Sequence, residues 1–249
     1  MSGELLMNTP VTGTGSRFSD RVLRLLERVE YRCVTTPSEK ELIYQLRYQA
    51  YVREGLIDPR ADGRLYDEVF DETPNAWITA AFIDGELAST VRVHAASDEN
   101  SALPSLGPFS DLIMPKLRAG RMMIDPTRLA AHVELARRIP ELPYIALRPA
   151  WVAGEHFQAD FGLVSIVEHH QAFYRRVFGY KQWCEPRNYP NFNRRVACMG
   201  LDFRAGRERV ETRYPFFRST PAEREALFGR PAPQRARLLT EDLAHAPAE

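Results

Sequence analysis

The chain has no excess of either charge: its 249 residues carry 33 Lys and Arg against 33 Asp and Glu. A neutral balance removes the long-range attraction to polyanions, so neither nucleic acid nor an anionic membrane is expected as a partner, and any charged docking surface must be local. No apolar run approaches the roughly 20 residues of a membrane span, and the N-terminus lacks the cationic, apolar, small-residue series of a secretion signal, so a cytoplasmic protein is expected. Cysteine is scarce: Cys33, Cys184 and Cys198 are scattered, odd in number and without metal-ligand spacing. That argues against a disulfide framework or a zinc site and leaves ordinary buried thiols. What is plentiful, 44% hydrophobic with 27% charged residues, suffices for one full core, near the upper size for a single α/β domain with extensions.

Residues 1–30 read as an N-terminal extension. They are Gly-, Thr- and Ser-rich and mobile to about residue 17, then carry Val22, Leu25, Leu26 and Val29 at helical spacing from Phe18. A short strand at Tyr31 leads to a helix opened by Ser38 with Glu41 three residues on and ended by Gly55. The long acidic loop from Gly55 to Asn75 is of the kind that carries function in compact domains. "AWITAAFIDGELASTVRVHAA" predicts a hairpin turning at Asp84-Gly85. Its alternation puts Leu87, Ser89, Val91 and Val93 on one face and Thr90, Arg92 and His94 on the other. A helix near Phe109 to Arg118 precedes the strand "RMMIDPTRLA", where Pro126 requires a bulge, a strand end or an edge. Ala146, Ala150 and Gly154 form a small-residue row by which a helix can lie close on a sheet. A buried strand "LVSIVEH", a helix through "HHQAFYRRVFG" and two further strands run to about Phe203. The order β-α-β-β-(α)-β-α-β-α-β-β predicts an α/β (α+β) domain over 31–203, a mixed sheet with helices on both faces. Residues 204–249 read as a partly helical C-terminal arm with a loose end.

Several residues admit a structural or a chemical reading. Arg47 lies in a row with Ile43 and Tyr51 and either snorkels to a local carboxylate or organises a site. The acids of "YDEVFD" are a solvated loop or its partners. Arg92 faces water or, if helices cover both sheet faces, needs a buried anion, either a substrate carboxylate or Asp71. His94 is a satisfied strand histidine or a base. Arg128 pairs with Asp125 or binds a carboxylate bidentately. Phe173, Tyr174 and Phe178 fit a plain core. Arg175 and Arg176, with Arg137, Arg138 and Lys181, are a solvated face or a basic patch for an acidic partner.

That element order, with a last helix ending FYRRVFGY before paired strands, resembles the GNAT acyltransferase fold and implies a largely antiparallel sheet. Arg47 with Tyr51, Asp67/Glu68 with Asp71, Arg92 in "STVRVHA" and "DPTR" from Asp125 to Arg128 resemble, in order, the motifs of its autoinducer-synthase-like branch. The resemblance is nearer to the N-acyl amino acid synthases (FeeM-type) than to acyl-homoserine-lactone synthases, since Ile57 stands where the latter carry Trp. Asp125 stands where a Glu is usual. The resemblance implies Asp125 as base, Tyr174 as acid to the leaving thiolate and Arg92 as a catalytic guanidinium. Arg47, Tyr51, Glu68, Asp71, Arg128 and Phe109 would bind substrate. Apolar residues such as Trp77, Phe82, Phe109, Met122, Ile124 and Trp151 are plentiful enough to line an acyl tunnel, and equally form a plain core. The glycine-rich pyrophosphate turn of CoA-dependent relatives is replaced by "HVELARRIPELPY", so the expected co-substrate is a medium- or long-chain acyl-phosphopantetheine thioester on acyl carrier protein, with acyl-CoA the alternative donor. No metal or redox cofactor is expected. The expected reaction is N-acylation of an amino acid or similar small amine. Lactone synthesis from S-adenosylmethionine, or a catalytically silent acyl or carrier-protein sensor, are the alternatives.

Overall fold

The computed structural model describes residues 13–229. They form α1 (Gly13–Leu26), β1 (Val29–Cys33), α2 (Pro37–Arg53), β2 (Ala76–Ile83), β3 (Glu86–Ala96), α3 (Leu106–Arg118), β4 (Met123–Ala131) and α4 (Val133–Arg138). The chain continues through α5 (Leu142–His156), β5 (Phe161–Ile166), α6 (Glu168–Val177), β6 (Lys181–Gln182), β7 (Ala197–Asp202), α7 (Phe203–Arg213), a 3-10 turn at Pro215–Phe217 and α8 (Pro221–Phe228). The strands make one sheet in the order β1-β2-β3-β4-β5-β7-β6. Its pairs are antiparallel except β4 with β5.

Local chemistry explains the element ends, with shifts from the expected positions. The cap of α2 is Thr36, not Ser38: its hydroxyl accepts from the Glu39 N–H at 3.3 Å and donates back to the Glu39 carboxylate at 2.7 Å, with Pro37 in the first turn. Glu41 instead pairs with Arg64 at 2.7 Å. The hairpin turns at Asp84 (φ 51°) and Gly85 (φ 84°), two left-handed residues as a type I′ turn requires. A bulge pairs Ala81 with Ser89 but Phe82 with Leu87. It breaks the strict alternation, so Leu87 packs beside Ile43 and Ile78 while Ala88, Val91 and Val93 enter the main core.

The bulge in β4 falls at Arg128, not at Pro126. Between the pairs Thr90–Ala130 and Arg92–Thr127 the β4 strand carries an extra residue, and Arg128 has φ 53°. Pro126 stays in register opposite Val93. On its other side β4 pairs with β5 only at Met123–Phe161 and Ile124–Gly162, so from Asp125 onward β4 has no β5 partner and the sheet splits. Pro126, lacking an N–H, occupies a strand that has locally become an edge.

One face of the sheet carries the main core, where α5 crosses under Val91, Val93, Ile124 and Val164. The flanking segments join that core. Val22 and Leu25 of α1 are buried in it, and so are Phe216, Phe217 and Phe228. The segment expected as an appendage from Arg204 is therefore part of the fold as far as Phe228; the expected loose end beyond 229 and the N-terminal stretch before residue 13 lie outside the described residues. Gly154 is required by close approach: a Cβ there would collide with the Phe203 ring. Against the other face lie α2, α3 and the segments 55–75 and 184–196, which frame the site.

Candidate active site

The loop after α2 folds back as one helical turn. The Asp71 N–H donates to the Asp67 carbonyl at 2.9 Å and the Phe70 N–H to the Asp67 carboxylate at 3.2 Å. Four-residue spacing on such a turn sends Asp67 and Asp71 to one side, towards the sheet, and Glu68 to the other. Asp71 accepts both of its contacts from Arg47 Nη1, at 2.9 and 3.0 Å, and another from Arg92 Nη1 at 3.0 Å. Asp67 accepts from Arg92 Nη1 at 3.1 Å and from Arg128 Nη2 at 3.2 Å. Arg92 Nε donates to Thr127 Oγ1 at 3.1 Å. The left-handed bulge turns the Arg128 guanidinium towards the Tyr51 and Phe192 rings, 5.8 and 5.7 Å from their centroids.

These side chains are buried: Arg47 is 0% and Arg92 1% exposed. Three guanidiniums face two carboxylates, so one positive charge is uncompensated, and Arg47 keeps Nε and Nη2 buried without a hydrogen-bond partner. Burial pushes the Arg47 pKa down, against the pull of Asp71. Burial would raise Asp67, yet Arg92 and Arg128 hold it below the usual carboxylate range. His94, fully buried, is kept neutral by desolvation and by Arg92. Its Nε2 lies 3.1 Å from the Phe70 carbonyl, which can only accept, so Nε2 carries the hydrogen and Nδ1 is an unpartnered acceptor.

A cleft of about 690 Å³ opens over this cluster, walled by Asp67, Phe70, Arg92, Thr127, Arg128 and Ser165. Tyr51, Ile57, Tyr189 and Phe192 give it aromatic and apolar sides, and Glu68 lines it from an exposed position outside the ion-pair network. Asp125 lies buried behind this wall at the split. Its Oδ2 accepts from the Ser105 N–H at 3.3 Å, Oδ1 has no partner, and Ser105 Oγ meets Ser165 Oγ at 2.8 Å. Burial raises the Asp125 pKa to about 6, only partly offset by the bonds from Ser105.

The remaining expected residues are dispersed. Tyr174 packs in the main core, its pKa raised by burial and then by the nearby Tyr51. Phe109 belongs to a second core cluster with Leu103, Ile113 and Met123 and does not line the cleft. The residues expected to line a tunnel fall into three clusters. Ile124 and Trp151 share a void of about 20 Å³ at the split, with Pro126, Gly162 and Tyr180, room for about one water. The Tyr180 hydroxyl fills that split, 2.7 Å from where a Gly162 Cβ would stand. Of the expected acidic pair Asp67/Glu68 it is Asp67 that meets the arginines, as its i, i+4 spacing to Asp71 signals, whereas Ser105, Thr127 and Ser165 were given no role by sequence reasoning.

After β4, α5 starts without free donors. The Leu142 N–H bonds the Ile139 carbonyl at 3.0 Å, Pro143 has none, and those of Tyr144 and Ile145 bond the Glu141 carbonyl at 3.0 and 3.4 Å. The Glu141 carboxylate sits at this end, paired with Arg21 at 2.8 Å.

A mixed sheet split at its parallel pair, helices on both faces and a charged cleft at the split are the architecture of a GNAT-type N-acyltransferase. A sequence profile described as N-acyl amino acid synthase FeeM matches residues 42–202, and the chain belongs to that family. In fold it is similar to FeeM, an N-acyl amino acid synthase from uncultured soil microbes, with a TM-score of 0.61 and 16% identity over 74% of this chain and 98% of that one. It is also similar to the CoA-dependent acyl-homoserine lactone synthase BjaI, with a TM-score of 0.53 and 15% identity over 76% and 89% of the two chains. For the acyl-homoserine lactone synthase LasI the values are 0.50 and 11%, over 81% and 94%. No curated protein sequence matches the chain.

Proposed function

We propose that the enzyme moves a medium- or long-chain acyl group from the phosphopantetheine thioester of acyl carrier protein to the amine of an amino acid or similar small amine, in the cytoplasm. The observation that carries this reading is the uncompensated positive charge in the cleft wall. Arg128, with Arg92 behind it, offers guanidinium donors to the acceptor's carboxylate, which would complete the charge balance of Arg47, Arg92, Arg128, Asp67 and Asp71. A carboxylate seated there places the adjacent amine over the split. Its nitrogen attacks the thioester carbon, the C–S bond breaks, and the amide forms. Asp125, a base above pH 6, takes the amine proton through water, since Thr127 and Ser165 stand between it and the cleft. Tyr174 lies in the main core next to Tyr51 of the cleft wall, and its phenol is the proton donor assigned to the departing thiolate.

The start of α5 supports the carrier-protein donor. A CoA pyrophosphate needs free N–H groups at that helix end, and they are taken, beside the Glu141 carboxylate. A carrier-protein thioester presents no pyrophosphate there. Purified enzyme given one amino-acid panel and equal acyl-carrier-protein or acyl-CoA is expected to show at least a tenfold higher kcat/KM with the carrier protein, about 1.4 kcal/mol. An equal or better rate with acyl-CoA would refute the donor assignment.

A further inference from the structure

Outside the cleft, three side chains that the reaction leaves unused come together where α2 ends and α6 begins. Glu54 closes α2, and His169 and His170 stand in the first turn of α6. Their carboxylate and imidazole ligand atoms all lie within 4.8 Å of one another, and the two imidazole rings are 4.0 Å apart at their centroids. All three are exposed, and none is held by another hydrogen bond or ion pair among the described residues.

The three ligand atoms come from the end of one helix and the start of another, so the cluster forms only in the folded chain. We infer that Glu54, His169 and His170 form a site for a divalent transition-metal ion of the zinc type. Two imidazoles and a carboxylate select zinc over magnesium or calcium, and three protein ligands leave a position for water. Ligand atoms around a zinc ion lie within about 2.0–2.2 Å of it, so small rotations of exposed side chains complete the site.

The position gives the ion a structural consequence. Tyr51 and Ile57, three residues either side of Glu54, line the cleft, and so does Ser165, four residues before His169. Helix α2 packs on β4 and α6 comes directly after β5, the two strands that part at Asp125. A bound ion ties the two flanks of the split together. The cysteines give no hint of this site because its ligands come from positions 54 and 169–170.

The test uses the full chain, stripped with chelator and titrated calorimetrically with zinc chloride, with magnesium chloride as comparison. The expected result is one zinc per chain, no magnesium binding and a higher Tm with zinc. Glu54→Gln or His170→Ala should weaken binding at least about tenfold, the size expected when a direct ligand is lost. The His169→Ala/His170→Ala double variant should abolish binding while its circular dichroism stays that of the parent. Cobalt(II) should give visible d–d bands without the near-ultraviolet charge-transfer band of a thiolate ligand. No saturable zinc uptake, or uptake unchanged in the double variant, would overturn the inference. The readout is independent of acyl transfer, so neither result bears on the proposed reaction.

Discussion

A carboxylate at Asp125 is held away from water with one oxygen unpartnered, and that fixes how the protein should respond to pH. Its folded pKa of about 6 lies above the ordinary 3.8, so the fold favours the protonated form. The stability this confers is complete below pH 4 and is lost as pH rises through 6; about 2 units correspond to roughly 3 kcal/mol. Asp125→Asn should therefore be more stable than the parent at pH 7–8 by up to that amount, with the gap closing towards pH 4, as urea melts across the range would show. The same variant should lose acyl transfer, because the base that appears above pH 6 is gone. Asp71 makes the opposite case. Asp71→Asn leaves Arg47 buried without a carboxylate and should cost about 3–5 kcal/mol, more than Arg47→Met, which leaves Asp71 paired with Arg92. A melt ordering Arg47→Met as the more damaging change would contradict this network.

Among elements, α5 anchors the C-terminal segment beyond β7. Arg148 is buried and donates from Nε to the Phe216 carbonyl at 2.7 Å and from Nη2 to the Arg218 carbonyl at 2.7 Å, and it pairs with Glu223 of α8. Arg148→Met should speed hydrogen exchange over residues 215–228 well before it affects the sheet, since the donors lost all serve that segment. At the split, Tyr180 borders the small void and its hydroxyl stands beside Gly162, so a proposed acyl chain threading the split would have to displace it. Tyr180→Ala should shift the products towards longer acyl chains, read by mass spectrometry; an unchanged length distribution would place the chain elsewhere. Elements governed by local chemistry were legible in the sequence: Asp84-Gly85 announces its turn, and Gly55, with φ 65°, the end of α2. The bulge at Arg128 was not, because Pro126 is the residue that looks incompatible with a strand, whereas the deviation depends on pairing with β3.

For the molecule as a whole, the order of elements along the chain and the helices on both faces follow from patterns readable in the sequence. The fate of residues 204–228 does not. Their Arg- and Pro-rich composition suggests an arm, yet Phe216, Phe217 and Phe228 complete the core over α5, and long-range burial of that kind has no local signature. The same holds for the cleft. Arg47, Arg92, Arg128 and Asp71 were recognisable singly, but Asp67 as their hub and the wall that hides Asp125 emerge only when the loop closes on the sheet. The central claim is that this assembly joins an acyl chain to an amino acid. Its most direct test is expression in a bacterial host with mass spectrometry of lipid extracts against an empty-vector control. New N-acyl amino acids that disappear in Arg128→Ala and in Asp125→Ala are the expected result. Acyl lactones in their place, or N-acyl products undiminished in both variants, would contradict it.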